Sequence, residues 1–332
     1  STGCFPNCSS GEILTASSGK IRRGKLRVAK VPKAVAALVA MGLALSLSSC
    51  FRQSEPVVTP QLFDLDEAQI NLEQAATENR SQLVREEFRD KVHVLPDPWG
   101  LQSVELFFQA SGSNSIIIAE NTDSSQLRAA SIAVAQRVPM VTYDDSMRSE
   151  LIAQIDALGI TRILLVGDLP FASTHGDLEI LHDPGTTQAL GEMTAFQFTS
   201  QVVDSPEGMV KAVADLESAD FTELKAAWEP LYREERWETE PIPAQSRRDS
   251  GMSPVIIVTP ESSVASVANV KAWGGEVWVM PTGDPRDSKH QMALVSGLED
   301  GPLVALGPQF GDTNLLTDRI RHGWNSSTHA NS

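Results

Sequence analysis

Two short apolar runs, Ser115-Ile-Ile-Ile-Ala119 and Pro254-Val-Ile-Ile-Val258, coincide when the sequence is shifted by 139 residues. At the same shift Val277-Trp-Val-Met280 falls on Val138-Pro-Met-Val141, and at 140 Leu303-Val-Ala-Leu306 and Gly307 fall on Ile163-Leu-Leu-Val166 and Gly167. Three spacings kept to within one residue mark a duplicated unit. In the first copy a strand at Ser115–Ala119 is followed by a capping-box-like start at Asp123 and Gln126 and a helix to about Gln136. A strand at Pro139–Thr142 comes next, then a helix with Leu151, Ile155 and Leu158 on one face that ends at Gly159, then a strand at Arg162–Val166. Strands that are apolar throughout, rather than alternating, are covered on both faces and joined by right-handed crossovers. The fold class expected is therefore α/β, with two related parallel-sheet modules from an internal duplication.

The division that follows places a first α/β repeat module at 91–170, an intervening segment with the start of the second module at 171–253, and the core of the second at 254–312. A helix is expected around Leu101 to Ala110, a strand at Phe196–Val203, a helix at Glu207–Leu216 and a charged surface helix at Thr222–Trp237. Pro241-Ile-Pro-Ala-Gln-Ser-Arg-Arg248 reads as a linker. Residues 50–90 read as a tether and a spacer helix, because Leu65 to Asp90 carries only a thin apolar stripe, and 313–332 reads as a tail that is disordered after His322.

Upstream of the repeats, Leu47-Ser48-Ser49-Cys50 closes an apolar run of fourteen residues, Ala34 to Leu47, flanked by Lys30 and Lys33. That run is short for a bilayer span, and its basic flank is that of a secretory signal. Small residues followed by Cys form a bacterial lipobox, so 28–49 is expected to be a lipoprotein signal peptide, with Cys50 lipidated by a palmitate-type chain. Residues 1–27 resemble neither a domain nor a signal and are expected to reflect an early start. Cys4 and Cys8 then leave no thiol but Cys50, and no disulfide is expected.

Charge narrows the partners. The chain has 27 Lys and Arg against 43 Asp and Glu, and removing 1–49 takes away seven basic residues and Glu12, leaving a net charge of −22. Such a surface repels phosphate backbones, so nucleic acid is excluded as a partner. It also opposes simple ion pairing with an anionic wall polymer, which calls for bridging cations or a local patch of different charge.

There is no nucleophile elbow, P-loop, dinucleotide-binding glycine motif or zincin motif. His175-Gly-Asp177 and His182-Asp183 match no common metal spacing, and Asp144-Asp145-Ser146 reads as a helix cap rather than an acid/base pair. No catalytic residue, metal or cofactor is expected. Ligands of parallel sheets sit at the carboxyl ends of strands, where this chain presents Glu120, Asp144, Gly167, Asp168 and Gly307. Those five are the candidate binding residues read from position, and each also suits a turn or cap.

Ile116-Ile-Ile-Ala119, the small-residue helix through Ala129-Ala-Ser-Ile-Ala133, Val138-Pro139-Met-Val-Thr142 and Arg162-Ile-Leu-Leu-Val-Gly-Asp168 together resemble the cell-wall-binding repeat of type 2. The resemblance covers 93–170 and, more divergently, about 193–312. It implies Rossmann-like modules that attach secreted proteins noncovalently to wall polymers, usually as three copies around a pseudo-threefold axis. By position it carries Pro139, Met140, Val141 and Thr142 over as binding residues. This sequence shows two copies, and Asp97-Pro-Trp-Gly-Leu101 stands where the family has a glycine- and Arg-Tyr-containing stretch.

The function expected is that of a lipoprotein on the extracytoplasmic face of a bacterial membrane, binding a wall glycopolymer or another envelope component without catalysis. Its partners are then the membrane through Cys50, the wall polymer and further copies of itself. Two alternatives remain open at this point. One is a solute-binding lipoprotein of an importer, with two lobes facing across a cleft; the other is an envelope hydrolase with an unrecognised site.

Overall fold

The computed structural model describes residues 59–110, 112–172, 177–248 and 250–329, so the signal segment and Cys50 lie outside the described residues. Helices α1 (Thr59–Asp64) and α2 (Leu72–Ser81) come first, then strand β1 (Val92–Leu95) and helix α3 (Leu101–Phe108). The first repeat follows as β2 (Ser115–Ala119), α4 (Asp123–Gln136), β3 (Met140–Thr142), α5 (Arg148–Leu158) and β4 (Arg162–Val166), with β5 (Glu179–His182) after it. Next come α6 (Thr187–Thr194), β6 (Thr199–Val203), α7 (Met209–Ala214) and β7 (Thr222–Ala226). The second repeat is β8 (Val255–Val258), α8 (Val264–Trp273), β9 (Trp278–Val279), α9 (Lys289–Val295) and β10 (Leu303–Leu306), and α10 (Thr313–His329) closes the fold.

All strand pairs among the described residues are parallel. One sheet has the order β3-β2-β4-β5 and a second the order β9-β8-β10-β1. The duplication extends to register: Ile116 pairs with Ile163, and Val255, its counterpart at a shift of 139, pairs with Leu303, the counterpart of Ile163 at 140. At the crossover strand the match is different. Tyr143 N–H donates to Ala119 O and Met280 N–H to Val258 O, so Met280 is the counterpart of Tyr143 at a shift of 137. An offset of two residues from the ungapped alignment leaves every side chain on its original face, which is why the sequence tolerates it.

The fourth strand of each sheet comes from outside its repeat. β1, within the segment assigned to the first module, pairs with β10 in the second sheet, and β5 completes the first. The span 91–170 is therefore not self-contained.

A third unit lies between the repeats. β6 and β7 form a two-stranded parallel sheet joined through α7, the same β-α-β arrangement as β2-α4-β3 and β8-α8-β9. Gln201 pairs with Leu224 and Ile117 with Met140, 23 residues apart in both cases. The three crossover helices touch one another, and each packs on the edge strand of a different unit: α4 on β7, α7 on β9, α8 on β3. That cyclic relation closes a ring of three. α4 lies inside it, buried from Ser124 to Gln136 except at Gln126, and its Ala and Ser residues let neighbouring elements approach closely. One apolar core runs through the ring, joining Ile116–Ala119 to Val258, Val267 and Trp273, so no cleft divides the described residues into two lobes.

Three expectations of local structure are corrected. The spacer segment belongs to the second unit: Leu72 and Ala76 of α2 are buried, and Asn79 donates to the carbonyls of Ala293, Leu294 and Ser296 at 3.0–3.2 Å, capping α9. Residues 222–237 are a strand and an irregular loop rather than a helix, because Glu223 is drawn inward by Arg128. The tail continues as α10, which buries Leu316 and Ile320. Among the described residues no helix is long and apolar enough to cross a membrane.

Candidate functional site

The carboxyl ends of the two larger sheets are filled by the protein's own side chains. Glu120, just past β2, turns across the end of β4, where its Oε2 accepts Asp168 N–H at 3.0 Å and the Ser125 hydroxyl at 3.4 Å. Gly167 makes this possible: at φ +96° a Cβ there would stand 2.5 Å from Glu120 Oε2. The first turn of α4, where a phosphate sits in dinucleotide-binding folds, is occupied too. Thr122 caps it, and Glu229 Oε2 accepts both the backbone N–H and the hydroxyl of Ser124 at 2.7 Å. Trp228 Nε1 donates to Asp123 Oδ2 at 3.0 Å beside it.

The second sheet is closed differently. Gln309 folds over the end of β8 and donates to Thr259 Oγ1 at 2.8 Å and Ser262 Oγ at 2.9 Å, and Gly307, at φ +131°, leaves the space its amide needs. Ser262 in turn donates to Leu306 O at 2.6 Å, and Ser266 of α8 to Asp97 Oδ2 at 2.7 Å.

The candidate binding residues therefore do not converge on one opening. Pro139, Met140, Val141 and Thr142 are all buried between β2 and α8 and present no side chain to a surface ligand. Gly167 and Gly307 are buried, Glu120 is engaged, and only Asp168 is exposed. Asp144 is a cap: it accepts from the Ser146 hydroxyl and backbone N–H, and these bonds hold its carboxyl below the usual range. Of the histidine-carboxylate pairs, His175 lies outside the described residues. His182 packs against Trp237 with ring centroids 4.6 Å apart and planes tilted by 41°, and burial lowers its basicity. Asp183 is spent on Arg128, and no group of three metal-ligating side chains occurs among the described residues.

Sequence reasoning missed the Arg128 centre. Arg128 is 1% exposed, with Nε and Nη2 on Asp183 at 2.9 and 3.0 Å, Nη1 on Glu223 at 2.6 Å and Nη2 also on Thr186 O at 2.8 Å. It ties α4 to the end of β5 and to β7, hence the first unit to the third. The basic residue in the middle of an Ala/Ser-rich helix was the available signal.

Fold and site together define a parallel α/β protein of three βαβ units, in which the strand mouths of the two larger sheets are internally closed. No family model matches the chain, and no curated protein is similar to it. Among solved structures, Cwp6 from Clostridium difficile aligns over 68% of this chain at 9% identity, with a TM-score of 0.38. The alignment spans 47% of that chain, about half its length.

Proposed function

We propose that the protein works at the bacterial cell envelope, held to the membrane through a lipid on Cys50, and binds a wall glycopolymer noncovalently and without catalysis. The observation that carries this reading is the third βαβ unit. The sequence resemblance implies three units around an axis, the repeat supplied two, and β6-α7-β7 stands in the remaining place. Closed strand mouths suit a protein whose ligand is a long polymer held on the surface rather than a small molecule enclosed in a cleft.

Co-sedimentation of residues 57–332, unlipidated, with purified cell wall tests it, with and without millimolar divalent cation and after stripping of secondary polymers. Saturable binding lost on stripping is the expected result. Wall that brings down none of the protein under any of these conditions overturns the reading.

A further inference from the structure

The helices α4, α7 and α8 end at a common pocket. Arg137, Leu216 to Ser218 and Trp273 to Gly275, at their three C-terminal ends, line a space of about 170 Å³. Arg137, Arg247, Arg248 and Lys271 also bound it, against Glu217 and Glu276. Both carboxylates lie on one cation: Lys271 Nζ is 2.9 Å from Glu217 and 3.5 Å from Glu276. The arginines have no carboxylate among the described residues. Arg137 donates to Gln245 O at 3.2 Å, and Arg248 to Arg137 O and Gly112 O at 3.1 and 2.9 Å. Arg247 is exposed. Three guanidinium groups in no ion pair with a carboxylate of the described residues are unexpected in a chain whose acids outnumber its bases 43 to 27.

Capping of the helix ends, whose carbonyls attract cations, accounts for Arg248, which donates to Arg137 O at the end of α4, but not for Arg137 or Arg247. Other carbonyls of the last turns are used by their own backbone. Ala133 O takes the N–H groups of Arg137 and Val138, and Val270 O those of Gly274 and Gly275. Lys211 O and Val213 O accept from Asp215 and Leu216. The cations instead repel one another. Burial, then the charges of Arg137 and Arg85, bring the Arg248 pKa down to about 10. An anion entering the pocket relieves that repulsion.

We infer that this pocket binds a phosphate group, gripped by Arg137 and Arg247 with Arg248 and Lys271 behind them. Guanidinium groups match the paired oxygens of phosphate, and a space several times the roughly 30 Å³ of one water admits the group with its linkage. The geometry stands alone, whereas assigning the phosphate to a wall glycopolymer rests on the proposed function. It also gives an acidic protein a local means of holding an anionic polymer.

Calorimetric titration of the full-length chain in detergent with inorganic phosphate tests the site, with sodium chloride at matched ionic strength as control. Saturable phosphate binding at one site is expected, weakened at least tenfold by Arg247→Ala and abolished by Arg137→Gln with Arg247→Ala. Arg247 is exposed, so its substitution leaves the fold intact. Absence of saturable binding, or binding equal in the wild-type and Arg247→Ala proteins, overturns the proposal. Parallel titrations with glycerol phosphate oligomers and with phosphatidylglycerol vesicles separate polymer from lipid headgroup as the source. Phosphate binding that persists in a protein failing to sediment with wall defeats the wall reading and leaves the site standing.

Discussion

The side-chain amide of Asn269 takes the place of a neighbouring strand for Met140. Its Oδ1 accepts Met140 N–H at 2.7 Å and its Nδ2 donates to Met140 O at 2.9 Å, while Nδ2 also reaches Gly100 O and Ser103 Oγ. Asn269 is fully buried on α8 and Met140 lies on β3, so one side chain satisfies the edge of the first sheet from the second unit. Asn269→Leu leaves both backbone groups of Met140 unpaired in a dry interior. A loss of about 3 kcal/mol is expected, at the upper end of the cost of a buried unsatisfied group. Urea unfolding measures it.

Ser131 plays the matching part at the next junction of the ring. Its hydroxyl on α4 accepts Leu224 N–H of β7 at 2.9 Å and donates to Leu127 O. By register Leu224 is the counterpart of Met140. Ser131→Ala is expected to cost about 1–2 kcal/mol, less than Asn269→Leu because a single N–H is orphaned. The two substitutions made together should cost more than their sum if the ring closes cooperatively; simple additivity in a double-mutant cycle argues that the junctions are independent.

These contacts mark how far the sequence could be read. β2, β4, β8 and β10 were legible because each is a continuous apolar run buried on both faces. β6 was recognisable as extended, but Thr199-Ser-Gln-Val202 is exposed and α7 has only six residues, so neither announced a third unit. β1 and β5 could not be assigned because their partners are chosen by long-range pairing. The closed mouths depend on where Glu120, Glu229 and Gln309 fold in three dimensions, and the arginine pocket gathers residues 137, 247, 248 and 271 from separate segments.

Arg128 joins three elements through charges that are all buried, and breaking such a set is costlier than leaving it out. Arg128→Met strands buried Asp183 without a cation and leaves buried Glu223 only the more exposed Lys225, 3.2 Å from its Oε2. A loss of about 3–5 kcal/mol is expected. Adding Asp183→Asn and Glu223→Gln should restore part of that loss, as read from denaturation midpoints, and a triple variant no better than the single one would show that geometry rather than uncompensated charge dominates.

Gly167 and Glu120 compete for one space, so their substitutions should be coupled. Gly167→Ala places a Cβ against Glu120 Oε2 and forces a non-glycine residue to φ +96°, an expected cost of about 1–3 kcal/mol. Glu120→Ala removes the carboxylate contact but leaves the Cβ of residue 120 and Ser125 Oγ, each 2.6 Å from the added Cβ, and the backbone strain. In the Glu120→Ala background the Gly167→Ala penalty should therefore shrink by part of its value, measured as the difference between thermal midpoints; an unchanged penalty attributes it to φ and to the remaining contacts rather than to the carboxylate.

Stability should also fall on mild acidification, through His93. The ring is half-buried on β1, edge-on to Phe88 at a centroid distance of 6.4 Å, and its Nε2 is buried without a hydrogen-bond partner. Burial first, then the nearby Lys91 charge, lower its pKa from 6.5. The unfolded chain therefore takes the proton before the folded one does. By linkage this contribution is present in full above pH 6.5 and is lost as pH falls from there toward the lower folded value. His182, lowered by burial, acts in the same window. The carboxyls of Asp144, Glu207 and Asp284, held below their ordinary values by hydrogen bonds, lose theirs only at more acid pH. Urea midpoints at pH 7.5 and 5.5 should differ in the wild-type protein, differ less in His93→Phe and least in His93→Phe with His182→Phe. A slope that survives both substitutions assigns the acid sensitivity to other groups.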